Sequence, residues 1–364
     1  MVEKTLIPFT DLKSQYHDAK AEIDLAIMDT IRRSSFITGP DVVHFEETMA
    51  KYVDAEDCAS TGSGTTALQV ALKTAGVKAG DEVITVSLTF VSTVEAIVNV
   101  GAIPVMIDID EYYQMDTNLI MAAITAKTKA ILYVDMYGQT PDVDRLRHIA
   151  DLYNLALISD AAHSFGSSYK GQKVGSLADL TCVSFNPVKN LGAMGDAGCV
   201  FGSKDLIAQA RMYRDHGRNQ KFVFEKVGYN ARIDNIQANI LLAKLPYLEG
   251  WIAKKRQIAA TYSNALKDVV CTPLEHPDSY HAYYVYVIAT NRRSDLAEYL
   301  KENGIQTNIH YPIGCHLQPA FKKYYHPLPA TEAASNTILS LPCYHSLRAD
   351  DQQYIIDKIK EFFK

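Results

Sequence analysis

The stretch GDEVITVSLTFVSTVEAIVNVGAIPVMIDI, residues 80–109, decides the fold class. Its first apolar run, Glu82 to Val86, is short, rich in β-branched residues and preceded by Gly80-Asp81. That combination reads as a buried strand. Phe90 to Val100 then reads as a helix, and Gly101 introduces a second strand, Ile103 to Ile107. The alternation continues outward: a strand at Lys129 to Val134, a helix over Asp142 to Tyr153, and a strand at Leu155 to Ser159 that ends at Asp160. Strands and helices at this spacing imply right-handed βαβ units and a mostly parallel sheet. Such sheets hold ligands at the carboxyl ends of their strands, so polar residues directly after strands become site candidates.

After about Leu248 the pattern changes. Trp251 to Leu266 reads as a long amphipathic helix, Ala282 to Ala289 as a Tyr- and Val-rich strand, and Ser294 to Asn303 as a helix. Ile305 to Ile309 reads as a short strand and Asp350 to Phe363 as a closing helix. The expected organisation is a large α/β domain over residues 1–248 and a smaller α+β domain over 249–364.

Composition limits the function classes. Of 364 residues, 48% are hydrophobic and 21% charged, which is ordinary for a globular chain. The formal net charge is −6, with no basic footprint for nucleic acid or anionic lipid. Cys58, Cys182, Cys199, Cys271, Cys315 and Cys343 are scattered without a CxxC pair, which argues against a zinc site and for reduced thiols. The opening MVEKTLIPFTDLKSQYHDAK is too polar for a signal peptide, and the longest uncharged apolar run, Val83 to Val94, is too short to span a bilayer. The expectation is a soluble cytoplasmic protein.

Three constellations carry chemistry. TGSGTTALQ, residues 61–69, follows a strand and opens a helix, so small residues bring free backbone N–H groups close to an anion. It matches neither GxGxxG nor GxxxxGK[ST], so dinucleotide and NTPase readings lose support. An ordinary capped helix, with Ser63 or Thr65 as the cap, is the plainer alternative. In SDAAHS, residues 159–164, Asp160 stands at a strand end and needs a cationic or donor partner; an Asp capping the next helix remains open. In VSFNPVKNLGAMGDAGCV, residues 183–200, Lys189 lies in a run with few charges, where desolvation favours a nucleophilic amine. Ser184 stands five residues earlier. A solvent-facing Lys189 is the competing reading.

Together, an anion site, an Asp about 95 residues on and a lysine about 29 further match the needs of pyridoxal phosphate: a phosphate cradle, a carboxylate for the pyridine nitrogen and a Schiff-base lysine. The chain resembles the DegT/DnrJ/EryC1/StrS family of sugar aminotransferases. The resemblance runs from IPFTDLKSQY and Phe36-Ile-Thr-Gly-Pro40 through SGTTALQ, GDEVITVSLTFVST, YGQTPDVDRL, DAAHSFGSSYKG, SFNPVKNLGAMGDAG and GYNARIDNIQAN to HYPIGCHLQPAF. It implies a fold-type I, aspartate aminotransferase-like architecture, with a seven-stranded, mostly parallel sheet domain and a smaller C-terminal α+β domain.

The resemblance also implies roles. Lys189 would carry the cofactor and shuttle the proton, and Asp160 would pair with the pyridine nitrogen. Phe90 would stack on the ring, and His163, where many relatives have Gln, would lie beside the ring hydroxyl. Thr65, Thr66 and Ser184 would bind phosphate, joined by Asn230 from a neighbouring subunit, which implies an isologous homodimer with shared sites. Arg232, His310 and Tyr311 would face the substrate. The substrates implied are a TDP- or UDP-linked keto sugar and an amino donor, glutamate, with no nucleic acid, membrane or metal partner. KNLGAMGDAG resembles the branch that aminates C-3 more than the C-4 branch, whose members tend to read KxITTGEGG. Product would enter amino-sugar synthesis for a surface glycan such as lipopolysaccharide. A dehydratase or lyase and a non-catalytic regulator are the alternatives on this scaffold; a deoxygenating branch has His where Lys189 stands.

Four further features receive plain readings. For His281 and His316 substrate contact is one reading and a surface or interface histidine the plainer one; Tyr283, Tyr284 and Tyr286 read as sheet-packing residues. Lys254, Lys255 and Arg256 read as a solvated helix face, and Asp108, Asp110 and Glu111 as a strand-end turn.

Overall fold

The computed structural model describes residues 6–364. Seven strands form the central sheet: β1 (Asp57–Thr61), β2 (Glu82–Val86), β3 (Ile103–Ile107), β4 (Thr128–Val134), β5 (Ala156–Asp160), β6 (Leu180–Ser184) and β7 (Gly198–Gly202). Their order across the sheet is β1-β7-β6-β5-β4-β2-β3. β2, β3, β4, β5 and β6 pair in parallel, while β7 runs antiparallel to both β6 and β1. The apolar runs extending outward from residues 80–109 therefore form the parallel core expected of them, with one reversed strand inserted. Most strand residues are buried because helices cover both faces, which is why the runs are continuously apolar rather than alternating.

Each core helix has a local cause. Ser63 caps the Gly64–Thr74 helix by accepting from Thr66 N at 3.1 Å, and Thr66 Oγ1 accepts from Ser63 N at 3.1 Å, a reciprocal capping box. Asp142 caps Val143–Tyr153 by accepting from Arg145 N, and Asn154 ends that helix in the left-handed conformation. The strand-end turn after β3 is also present: Asp110 accepts from the N–H groups of Tyr112 and Gln114. Asp108 accepts from the N–H groups of Ala330 and Thr331.

The long helix Leu248–Leu266 links two packing regions. Leu248 and Ile252 pack with the core around Phe45, Phe185 and Phe201. Ile258, Ala259, Tyr262 and Leu266 pack instead with a C-terminal cluster that includes Tyr286, Leu339, Ile355 and Ile359. Ile7 joins that second cluster, so the beginning of the chain folds against its end.

Several expectations need correction here. Only Tyr286–Ala289 of the 282–289 run is a strand, paired antiparallel with Ile338–Leu341. Residues 282–285 turn instead, with Tyr283 at φ 44°. Ile305 to Ile309 is not a strand: it is held by isolated bridges from Ile305 to Ile7 and from Asn308 to Ser340. The Lys254–Arg256 run is not a uniformly solvated face: Lys255 is buried, and Arg256 donates to Glu275 and the carbonyl of His281. His281 and His316 are buried rather than on the surface. His316 Nδ1 pairs with Ser87 Oγ at 2.6 Å, and its backbone N–H donates to the same hydroxyl at 3.0 Å. These bonds fix the 313–318 segment against the end of β2. Five of the cysteines are buried and Cys271 is exposed. No helix among the described residues is long and apolar enough to cross a membrane.

Candidate active site

A cavity of about 430 Å³ opens at the carboxyl ends of the parallel strands, where the fold type places ligands. Its floor and walls come from the turn after β1 (Ser63, Gly64, Thr65), the segment after β2 (Thr89, Phe90), the end of β5 (Asp160 to His163), the β6–β7 connection (Ser184 to Lys189) and the 308–311 segment.

The anion end is the start of the Gly64–Thr74 helix. First-turn N–H groups have no intrahelical acceptor, so those of Gly64 and Thr65 are free for a phosphate. Gly64 packs so tightly on β6 that a Cβ there would lie 2.6 Å from Ser184 Cβ. That contact brings the Ser184 hydroxyl to the same spot. Thr65 Oγ1 pairs with Ser92 Oγ at 2.8 Å.

At the other end Asp160 is buried. Thr93 Oγ1 donates to its Oδ2 at 2.7 Å and Ala162 N–H to its Oδ1 at 3.2 Å. Burial raises its carboxyl above the ordinary range, against the opposing pull of the Thr93 and Ala162 hydrogen bonds and of the nearby Lys189. Asp135, at the end of β4, lies beneath it and accepts from Ser159 and Ser164 hydroxyls. Burial pushes Asp135 up to about 8, which keeps it protonated at neutral pH.

Lys189 stands between them. Burial depresses its amine to about 8, with Asp160 opposing the shift. Its Nζ lies 4.4 Å from the centre of the Tyr284 ring. The other face of the same pocket holds His163, stacked on Tyr284 with ring centres 4.2 Å apart. His163 Nδ1 is buried with no hydrogen-bond partner, so it is available to a ligand. Burial and the nearby Lys189 push both His163 and His310 down, the latter to about 4, so both rings are neutral. His310 Nδ1 is held by Ser340 Oγ at 2.8 Å, and Tyr311 meets Phe90 with ring centres 5.9 Å apart.

Thr65, Phe90, Asp160, His163, Ser184, Lys189, His310 and Tyr311 thus meet in one cavity. Thr66 does not line it, because its hydroxyl and N–H are spent on the capping box with Ser63. Asn230 and Arg232 lie outside it. Arg232 donates to Asn230 Oδ1 at 2.7 Å and pairs with Asp215 at 3.4 Å, and Asn230 is exposed. Asn186, where relatives commonly have His or Tyr, also lines the wall, and sequence reasoning missed Tyr284 there. Tyr284 sits in the run HAYYVYV, where nothing local separates a packing ring from one that meets the lysine.

The donor set fits pyridoxal phosphate on its own chemistry. An anion-binding helix start, a buried carboxylate, an unpartnered ring nitrogen and a desolvated lysine are the four complements that this cofactor requires.

Comparisons with known proteins agree. The model of the DegT/DnrJ/EryC1/StrS aminotransferase family matches residues 17–360. A UDP-2-acetamido-2-deoxy-3-oxo-D-glucuronate aminotransferase of Pseudomonas aeruginosa is 40% identical over 342 residues, covering 93% of this chain and 95% of that protein. A "pleiotropic regulatory protein" of Geobacillus stearothermophilus is 40% identical over 367 residues, 98% of this chain and 99% of that one. The crystal structure of S. venezuelae DesV in complex with a ketimine intermediate superposes with a TM-score of 0.96, at 35% identity and 99% coverage of both chains.

Proposed function

Since the chain belongs to the DegT/DnrJ/EryC1/StrS aminotransferase family, we propose that it uses pyridoxal phosphate to move an amino group from L-glutamate to C-3 of a nucleotide-linked keto sugar. The observation that carries this reading is the desolvated Lys189 amine, set in one cavity with the Asp160 carboxylate and the helix start at Gly64. The P. aeruginosa relative is named for a UDP-linked 3-oxo sugar, which supports C-3.

When bound, the cofactor supplies an electron sink that makes the α-proton of an attached amino acid removable. Gly64, Thr65 and Ser184 would hold its phosphate, Phe90 its ring face, and His163 its ring hydroxyl. Asp160 would keep the ring nitrogen protonated, because an opposite charge nearby favours the cationic form. Lys189 is the attachment amine and the proton carrier. With its amine near 8, it gives up its own proton at lower cost than an exposed lysine and takes one from carbon when freed. The Tyr284 ring beneath Nζ limits where the freed amine can swing. Burial makes His163 and His310 weaker bases than an ordinary imidazole, so they compete poorly for that proton.

The active unit in this reading is a homodimer. Phe222, Phe224 and Val227 are exposed beside Asn230, and Leu25, Met28 and Phe36 are exposed near the other end of the chain. A second copy that covers these side chains would bring Asn230 to the phosphate. The Geobacillus relative is named as a regulator. A purely regulatory chain has no use for a buried, unpaired lysine beside a buried carboxylate, so the enzyme reading stands ahead of it. The test is incubation of the cofactor-loaded protein with glutamate and a panel of TDP- and UDP-linked keto sugars. A 3-amino sugar identified by NMR is expected; amination at C-4, or loss of water without amination, would displace the reading.

A further inference from the structure

A second cavity of about 230 Å³ lies on the other side of Lys189. Lys189, Val188, Tyr284, Asn308 and His310 belong to the walls of both. The remaining wall comes from residues 9–15, Asn190, the start of the long helix at Trp251 to Lys255, Val285 and the 341–345 segment. The space is too small for a nucleotide sugar but suits a compact acid.

Its distinguishing residue is Lys255, nine-tenths buried. Lys255 Nζ donates to Asn190 Oδ1 at 2.8 Å and to the Tyr284 carbonyl at 3.1 Å, both uncharged acceptors. Among the described residues it has no ion-pair partner. Burial lowers its amine to about 8, so at neutral pH it is still mostly cationic. An ammonium holds three donors, and two are used. The acid groups near the cavity are committed elsewhere. Asp11 accepts from Lys13 and Ser14 N–H and from Ser346 Oγ, and Asp18 meets His345 and Trp251. His310 is neutral, and Asn190 Nδ2 is spent on the Ala282 carbonyl. A buried, unpaired cation is costly and a methionine would fill the same space, so brace-work alone is a poor explanation for this lysine.

We propose that this cavity receives a carboxylate of the amino-acid donor, with Lys255 as the anchoring cation. The proposal rests on the aminotransferase reading and deepens it. The donor's amine would reach the Lys189 side while its carboxylate sits against Lys255, leaving the larger cavity's mouth to the sugar. Because Lys255 also holds Asn190, the residue after Lys189, and the backbone of Tyr284, the donor and the reactive amine share one support.

Glutarate, a five-carbon dicarboxylate without an amine, is the probe. Its binding to the cofactor-loaded protein is measured by calorimetry, alongside bleaching of the visible cofactor band by glutamate. Lys255→Met should weaken glutarate at least about ten-fold, the size of one charge-assisted contact. The same change should raise the glutamate KM by a larger factor than it lowers the limiting rate. Lys255→Arg should restore most of the affinity. Should Lys255→Met fail to fold, Asn190→Asp serves instead: it gives Lys255 a resident acid and should weaken glutarate in the same way. Wild-type affinity in Lys255→Met or in Asn190→Asp overturns the proposal. So does a wild-type protein that reacts with glutamate yet ignores glutarate. A wild type that reacts with no amino acid defeats the aminotransferase reading itself, and this proposal with it.

Discussion

Replacing Gly64 by Ala probes the phosphate end of the cavity with a single methyl group. The added Cβ would lie 2.6 Å from Ser184 Cβ and 3.2 Å from both its Cα and its Oγ. Carbon atoms settle at about 3.5–4.0 Å, so the helix start and the end of β6 must separate by roughly 1 Å. Ser184 cannot step aside cheaply, because its backbone is paired with Gly198 in the sheet. Overpacking of this kind costs about 1–3 kcal/mol. Alanine's better helix propensity returns at most about 1 kcal/mol. The separation moves the Gly64 and Thr65 N–H groups away from Ser184, which is the geometry a phosphate needs. If the whole strain appears in ligand affinity, 1–3 kcal/mol corresponds to roughly a 5- to 150-fold weaker cofactor. The assay is titration of cofactor-free protein with pyridoxal phosphate, followed by visible absorbance. Gly250→Ala, where a Cβ meets nothing within 4 Å, is the control and should bind as wild type. A folded Gly64→Ala protein with wild-type affinity would refute the placement of the phosphate.

Other perturbations have equally definite outcomes. Glu46 is buried and accepts from Arg211, Arg214 and both the N–H and hydroxyl of Ser60 in β1; Glu46→Ala strands those donors and should lower unfolding free energy by about 3–5 kcal/mol, with a loss under 1 kcal/mol in denaturant titration contradicting it. Asp160→Ala should still take up cofactor through Lys189 and the helix start, yet turn over about 10²- to 10³-fold more slowly; rates near wild type would remove its role at the ring nitrogen. Burial lowers Lys189 to about 8, so the neutral amine gains as pH rises through that value. Uptake of pyridoxal phosphate by the cofactor-free protein should therefore accelerate with a midpoint near 8, and a midpoint near that of an exposed lysine, 10.5, would show that Lys189 is not desolvated.

Much of the fold was legible because burial on both faces writes itself into composition. The runs at 82–86 and 103–107 coincide with β2 and β3. The helix expected over 142–153 is present as Val143–Tyr153, with Asp142 as its cap. Strand direction is a different matter: nothing in GCVFG, residues 198–202, distinguishes antiparallel from parallel pairing, so the reversed β7 came only with the structure. The run at 305–309 looked like a strand by β-branching but has neighbours only at its ends. At the site, Asp160 was readable from its place at a strand end, whereas Phe90 was singled out only by the family resemblance. Residues brought in from the far end of the chain were less so. Tyr284 reaches Lys189 only through the turn at 282–285, and His316 meets Ser87 across 229 residues. Lys255 had a signal that the cluster of three basic residues hid. It stands four residues after Trp251 and three before Ile258, on the buried stripe of its own helix, where a solvated lysine does not belong.

The most direct test of the whole account is chemical. The cofactor-loaded protein is reduced with borohydride, digested, and searched by mass spectrometry for the pyridoxyl group. A single modified peptide carrying the group on Lys189 is the predicted result. A protein that acquires no pyridoxyl group, or acquires it on a lysine other than 189, would contradict the placement of the reactive amine and the amino transfer built on it.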